Sequence, residues 1–266
     1  MSGSYTHGHH ESVLRSHEWR TVANSAAYLV PHLQAGQRIL DVGAGPGTIT
    51  VDLAERVAPG QVVGLDAAAD VIAKAAALAA ERGIRNVSFE VGVAYALEAD
   101  DDSYDVVHAH QVLQHLSRPV DALREFRRVV APDGVVAVRD VDYRGVIWYP
   151  LLPGLAEWHE VYLRVHALVS GEPAAGRRLK AWAREAGFAD VESSASLWLF
   201  ETPEEREWWG GAWADRALHS SFAEHALEHG VTDRAGLERI AAAWRAWAAS
   251  EDAWLLMPHG EILARG

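Results

Sequence analysis

The stretch that most narrows what this chain can fold into is Ile39-Leu-Asp-Val-Gly-Ala-Gly-Pro-Gly47. A short, mostly apolar run ends in three glycines at alternate positions, and residues 47–57 behind it have helical spacing. An apolar run without alternation marks a strand covered on both faces. Glycines at its end let the backbone turn sharply and let a ligand approach the chain closely. The segment therefore commits the chain to a strand–turn–helix unit inside a layered α/β domain.

The surrounding sequence repeats that unit. Residues 18–33 carry the apolar spacing of a helix (Trp19, Val22, Ala23, Ala26, Leu29, Val30, Leu33), with Pro31 disturbing its end. Strands are expected at 38–42, 61–65, 87–91, 104–108 and 135–138, the second leading into Asp66. Helices are expected at 47–57, at 68–82 with Gly83 as its stop, and at 119–130 before the turn signal Pro132-Asp-Gly134. Strands alternating with crossover helices imply a parallel sheet with helices on both faces. The second half reads less regularly: a helix over 174–186, a strand over 191–200, helices over 203–229 and 233–249, and a last strand over 254–257.

Tryptophan divides the chain. Of 11 Trp only Trp19 precedes residue 148, so a boundary near Tyr149-Pro150 is expected. The expected organisation is an N-terminal helical arm or lid (1–35), a ligand-binding core (36–145), and the rest of the sheet (146–266). A Trp-rich helical insertion at about 203–250 would cap the site.

Composition removes whole classes of function. The chain has 266 residues, 24 Lys+Arg against 37 Asp+Glu, and a net charge of −13. Phosphate backbones and anionic membranes are poor partners for such a surface, because binding them needs clustered cations. With no cysteine there is no disulfide, thiolate metal site or thiol nucleophile. No run approaches the roughly 18 apolar residues of a spanning helix, and the opening residues lack a signal-peptide pattern. A cytoplasmic protein is expected, monomeric or homodimeric, with a small-molecule partner and neither nucleic acid nor membrane.

The turn selects among nucleotide ligands. A dinucleotide fingerprint needs G-x-G-x-x-G, whereas here the order is Gly43-x-Gly45-x-Gly47 with Pro46 inside it. Asp41 beside the turn would repel a pyrophosphate and suits an amino-bearing ligand. Asp66, at the end of the second strand, stands where an acid takes ribose hydroxyls. A nicotinamide-dependent oxidoreductase is disfavoured by this spacing.

Leu40-Asp-Val-Gly-Ala-Gly-Pro-Gly47 with Asp66 resembles the class I S-adenosylmethionine-dependent methyltransferases, especially the small-molecule group of ubiquinone and menaquinone biosynthesis. Phe89–Ala94, Asp102–Val107, His110–Leu116 and Arg124–Gly134 extend the resemblance over roughly residues 36–140. It implies an α/β, Rossmann-like doubly wound sheet of about seven strands, mostly parallel with a late antiparallel strand. It also implies S-adenosylmethionine as cofactor and S-adenosylhomocysteine as product.

By position, the resemblance assigns the methionine portion to Asp41 and the backbone of Gly43, Ala44, Gly45 and Gly47. Asp66 takes the ribose, and Ala67 and Val71 border the adenine. The His110 carbonyl meets the cofactor's amino group. Gly92-Val93-Ala94 lies at the adenine edge, with the Ala94 N–H on N1. One departure stands out: the family often has an acid where Val93 sits, accepting from the adenine amine, and valine cannot. Either a water, a backbone carbonyl or another acid such as Glu90 or Glu98 takes its place, or cofactor affinity is reduced. Arg20 lies in a segment that resembles the N-terminal helix of some relatives, in which an arginine reaches the methionine carboxylate; the equal alternative is a surface arginine paired with Glu18 or Glu11.

Methyl transfer from a sulfonium needs alignment above all, and a base only for acceptors protonated at working pH. Acceptor-side candidates are His110, Gln111, Asp142 and Tyr143, at the ends of the fourth and fifth strands. The competing reading makes Asp142 and Tyr143 solvated loop residues. His108, His110 and His115 lie close together without a metal-ligand spacing, so no metal is expected. His115 reads as a packed, hydrogen-bonded histidine, with an acceptor-facing role as the alternative. Trp244 and Trp247, at i,i+3, read as core; an aromatic acceptor pocket among Trp198, Trp208, Trp209, Trp213, Trp244, Trp247 and Trp254 is the alternative. His7, His9 and His10 form either a solvated arm or a segment that folds over the site. The leading expectation is methyl transfer to a small organic acceptor. Its rivals keep the cofactor fold for a cyclisation or elimination, or for non-catalytic binding.

Overall fold

The computed structural model describes residues 19–169 and 171–266. The N-terminal histidine cluster and the lid segment Tyr5–His17 lie outside these residues.

Among the described residues, one eight-stranded sheet organises the chain. Its first five strands are β1 (Ile39–Val42), β2 (Val62–Asp66), β3 (Val87–Val91), β4 (Tyr104–His110) and β5 (Val130–Val141). They pair in parallel in the order β3-β2-β1-β4-β5. Helices α2 (Thr48–Val57), α3 (Ala69–Glu81) and α4 (Pro119–Val129) form the crossovers. The strands' C-terminal ends, Val42, Asp66, His110 and Val141, therefore share one rim, where ligands of open α/β sheets bind.

The late strands are antiparallel. β8 (Trp254–Arg265) runs against β5 through Val136↔Ala264 to Val141↔His259, and against the short β6 (Ile147–Tyr149) farther along the same edge. Its other edge takes β7 (Asp190–Phe200) over its whole length. The eighth strand is thus β6, and the last strand is far longer than the expected 254–257, because two neighbours hold it throughout.

Other expectations need correction. The helix expected over 18–33 is two pieces, α1 (Val22–Ser25) and a 3-10 helix (Ala27–His32). Thr21 caps α1 through the Asn24 N–H, and Ala26 leaves helical geometry at φ −139°. The turn signal Pro132-Asp-Gly134 sits inside β5, where pairing jumps from Tyr104↔Val130 to Val106↔Val135 and the surplus residues bulge out. The segment 174–186 is a 3-10 turn, Ala175–Arg178, followed by α6 (Leu179–Glu185). The helix expected over 203–229 breaks at Ser220 into α7 (Pro203–His219) and α8 (Ser221–Glu228). The Ser220 hydroxyl accepts from the Phe222 N–H and donates to the Arg216 carbonyl.

Helix α5 (Pro153–Val169) was not anticipated, although Leu155, Trp158, Val161, Tyr162 and Val165 form an i,i+3,i+4 stripe. That stripe meets α7 and α9 (Arg234–Ala249). Trp158 packs edge-on against Trp213 at 4.9 Å and Trp244 at 4.8 Å. Trp213, Trp244 and Trp247 are fully buried, so these aromatics are core. Truncating one to alanine is expected to cost roughly 3–5 kcal/mol. Among the described residues, no helix is long and apolar enough to cross a membrane.

Candidate active site

The glycine turn is built as its sequence dictates. Gly43, Gly45 and Gly47 have φ of 74°, 55° and 87°, the left-handed region that favours glycine. A Cβ on Gly43 would stand 2.3 Å from Val112 Cγ2, and one on Gly47 would stand 2.7 Å from the Ala75 Cβ. The turn's own amides are largely engaged. Gly43 and Ala44 donate to the Leu65 carbonyl at 2.7 and 2.9 Å, Gly45 donates to Asp66 Oδ2 at 3.0 Å, and Gly47 donates to the Ala44 carbonyl. What the turn offers a ligand is close approach and carbonyl oxygens rather than a nest of donors, which favours an amino-bearing group.

Asp66 ends β2 facing this turn. Its Oδ1 accepts from the Ala68 N–H at 3.1 Å and its Oδ2 from Gly45, so the carboxylate is fixed at the rim. Behind the adjoining loop, Val71 is buried and Ala67 exposed. Beyond β3, the Gly92 N–H donates to the Asp66 carbonyl, and Ala94 is buried. Val93 is 50% exposed, and the acids Glu90 and Glu98 are exposed too.

Asp41 differs from expectation. Its carboxylate turns inward, 2% exposed, with Oδ1 2.7 Å from His108 Nδ1 and Oδ2 accepting from the Thr50 hydroxyl at 2.5 Å. Alternation along the strand puts Asp41 on the α2 side of β1, where it ties β1 to β4 and to α2. Any contact it makes with a ligand passes through its backbone.

At the end of β4, Gln111 has φ 54° and carries its side chain between two partners. Arg20 Nη2 donates to Gln111 Oε1 at 3.0 Å, and Gln111 Nε2 lies 2.8 Å from His259 Nε2. His110 is 5% exposed, and neither ring nitrogen has a hydrogen-bond partner. Burial first, then the Arg139 and Arg20 charges, hold it well below the ordinary imidazole range. His259 is held down in the same way, by burial and Arg139. Both rings are therefore neutral.

The other acceptor-side candidates lie elsewhere. Asp142 is bound by the Arg177 guanidinium through both carboxylate oxygens. Tyr143 is buried against Tyr162, ring centroids 4.3 Å apart. Neither borders the cavity described next. Asp140 faces the Leu113 and Gln114 amides at 3.2 and 3.4 Å, and burial pushes its carboxyl up to about 8. His115 is half-buried and stacks on His166 at 5.3 Å.

A cavity of about 270 Å³ opens between the N-terminal segment and β5, β7 and β8, lined among others by Trp19, Asn24, Arg139, Ser196, Trp198 and Glu261. Trp198 Nε1 donates to the Asn24 carbonyl at 2.7 Å, and Trp19 meets Trp198 edge-on at 5.1 Å. Sequence reasoning missed Arg139, Ser196, His259 and Glu261. Their signal is a charged residue inside otherwise apolar strands, Val135-Val-Ala-Val-Arg139 and Glu261-Ile-Leu-Ala264.

Comparison with known proteins gives the same direction. The family model described as a methyltransferase domain matches residues 33–187. An uncharacterised methyltransferase of Schizosaccharomyces pombe is 35% identical over 97% of this chain and 95% of its own length. The protein named "Probable methyltransferase ltbC" of Aspergillus luteorubrus is 30% identical over 99% of this chain and 98% of its own length. The crystal structure of YcgJ from Bacillus subtilis shares the fold at TM-score 0.56 and 19% identity, over 90% of this chain and 97% of that one.

Proposed function

Because the chain belongs to the class I S-adenosylmethionine-dependent methyltransferases, we propose that it transfers a methyl group to a small organic acceptor. The observation that carries the residue assignment is the Asp66 carboxylate, pinned beside the left-handed glycine turn by the Gly45 and Ala68 amides. Each carboxylate oxygen keeps a lone pair for a ribose hydroxyl. The turn can take its path beside the cofactor because Gly43, Gly45 and Gly47 adopt positive φ, and Gly43 and Gly47 let Val112 and Ala75 pack directly against its backbone. When bound, S-adenosylmethionine supplies an activated methyl on a sulfonium.

This chain's residues bind, orient and exclude water. Residues 36–145 hold the cofactor, with Gly92, Val93 and Ala94 along the adenine and Ala67 and Val71 beside it. The His110 carbonyl and Gln111 border the reacting end. The N-terminal segment from Trp19 onward and the Trp-rich segments after residue 146 close the acceptor side, which also limits loss of the methyl group to solvent.

The test is titration calorimetry with S-adenosylhomocysteine. Asp66→Ala is expected to weaken binding by about 1–3 kcal/mol through loss of charge-assisted hydrogen bonds. An unchanged dissociation constant would overturn the assignment.

A further inference from the structure

We infer that the cavity beneath the N-terminal segment binds the acceptor as a planar, ionised oxygen acid, a phenolate or enolate, held by Arg139. This rests on the proposed methyl transfer and names the acceptor class of that same site.

Arg139 is 1% exposed and lies at the cavity wall. Its Nε is committed, donating to Ser196 Oγ at 3.0 Å and Glu261 Oε1 at 3.2 Å. Nη1 and Nη2 are buried with no hydrogen-bond partner. A buried guanidinium with two idle nitrogens is costly unless something accepts from them, and its fork matches an oxygen carrying two lone pairs. Glu261 does not fill that role. Its Oε1 takes the Arg139 Nε and the Ser196 hydroxyl, and its Oε2 takes the Ser194 hydroxyl.

The rest of the wall selects a flat ligand. The Trp198 ring lies 5.0 Å from the Arg139 guanidinium carbon, and Trp19 stands edge-on to Trp198. A cavity of roughly 150 Å³ holds one benzene, so about 270 Å³ accommodates a substituted ring or a compact bicycle. The cavity wall adjoins the end of β4, where the proposed function puts the reacting end. Arg139 is the register partner of His110, and the Gln111 N–H donates to the Arg139 carbonyl at 2.7 Å. From Arg139 to β1 is two strand spacings, roughly 10 Å.

The absence of a strong base fits the same class. His110 and His259, on this face of the sheet, are both kept neutral and weakly basic, with the Arg139 and Arg20 charges opposing their protonation. Glu261, Asp41 and the Tyr28 hydroxyl also face this layer. Glu261 and Asp41 are committed to the partners described, and burial holds the Tyr28 hydroxyl protonated. An acceptor that has already lost its proton to solvent needs no base from the protein.

The experiment uses 4-nitrophenol, whose ionised form absorbs visibly, and 4-nitroanisole, which has the same ring without an acidic oxygen. Wild type is expected to bind 4-nitrophenol at least tenfold tighter. It should raise the phenolate band at a pH where free 4-nitrophenol is mostly protonated. The charge-balanced variant Arg139→Met/Glu261→Gln is expected to lose both effects while binding 4-nitroanisole unchanged. Arg139→Lys should restore part of the preference. Should the double variant fail to fold, Ala23→Trp, at an exposed residue lining the cavity, is expected to weaken 4-nitrophenol at least tenfold without altering S-adenosylhomocysteine binding. Equal binding of the two probes by wild type, no phenolate band, or a preference that survives these variants overturns the inference. S-adenosylhomocysteine is titrated alongside. Its binding without 4-nitrophenol recognition refutes the inference alone, whereas failure to bind it refutes the proposed function.

Discussion

Gln111 and His259, 148 residues apart, meet side chain to side chain at 2.8 Å, and the contact fixes the imidazole's tautomer. The Gln111 oxygen is taken by Arg20, so its amide nitrogen donates to His259 Nε2. His259 Nδ1 then carries the proton and donates to the Met257 carbonyl at 3.0 Å. Replacing Gln111 by Glu keeps the acceptor for Arg20 and removes the donor toward His259. The His259 ring, now held well below the ordinary imidazole range, is expected to titrate at least one pH unit higher, about 1.4 kcal/mol. Nitrogen-detected NMR of the histidine rings reads this directly, and an unmoved His259 would refute the tautomer.

Arg20 is tied into the same cluster, 5.6 Å from the Trp198 ring centroid. If it also meets the methionine carboxylate, Arg20→Ala is expected to cost roughly 2–4 kcal/mol in S-adenosylhomocysteine affinity. Arg20→Lys should recover only part, for want of the planar fork. Adenosine, which has no carboxylate, should bind wild type and variant alike. Equal losses for both ligands would mean that Arg20 only holds the N-terminal segment in place.

Val93, placed along the adenine by the proposed function, stands half-exposed and is flanked by exposed acids. Val93→Asp supplies an acceptor for the adenine amine and is expected to tighten S-adenosylhomocysteine by roughly 0.5–1.5 kcal/mol, the net worth of one such hydrogen bond. Weaker or equal binding in calorimetry would show that another group already satisfies the amine.

Asp140 makes stability depend on pH. Unfolded, its carboxyl loses its proton near 4; in the fold, burial raises this to about 8. Between those values the native state holds the extra proton. Stability from this group is therefore greatest at low pH and falls as pH rises through the window, by up to about 1.4 kcal/mol per pH unit. Asp140→Asn removes the ionisation, so its stability relative to wild type should grow from pH 5 to pH 8. Urea unfolding at three pH values tests this, and a constant difference would refute the raised ionisation.

The glycine turn was legible because its determinants are local: three glycines that must adopt positive φ, placed directly behind a buried strand. The parallel half of the sheet followed from strand–helix alternation, and Trp244 and Trp247 proved core, as their i,i+3 spacing suggests. The inward turn of Asp41 was not legible, because it depends on His108, 67 residues away. The same holds for the cavity. Arg139, Ser196 and Glu261 come from three strands, and only the antiparallel register Arg139↔Glu261 and Ser194↔Glu261 brings them together. The break at Ala26 escaped notice because apolar spacing alone does not distinguish an α turn from a 3-10 turn.

Strand β8 is the last strand in chain order among the described residues, yet β5, β6 and β7 all pair with it. During vectorial synthesis, β5 emerges well over a hundred residues before its antiparallel neighbour. Until β8 arrives, β5, β6 and β7 all lack this partner, leaving bare strand edges open to pairing with other chains. The Arg139 guanidinium meanwhile lacks its carboxylate. Closing so long a loop is slow. Maturation of this sheet is therefore expected to await emergence of β8, and chains stalled before Trp254 should accumulate as aggregation-prone species.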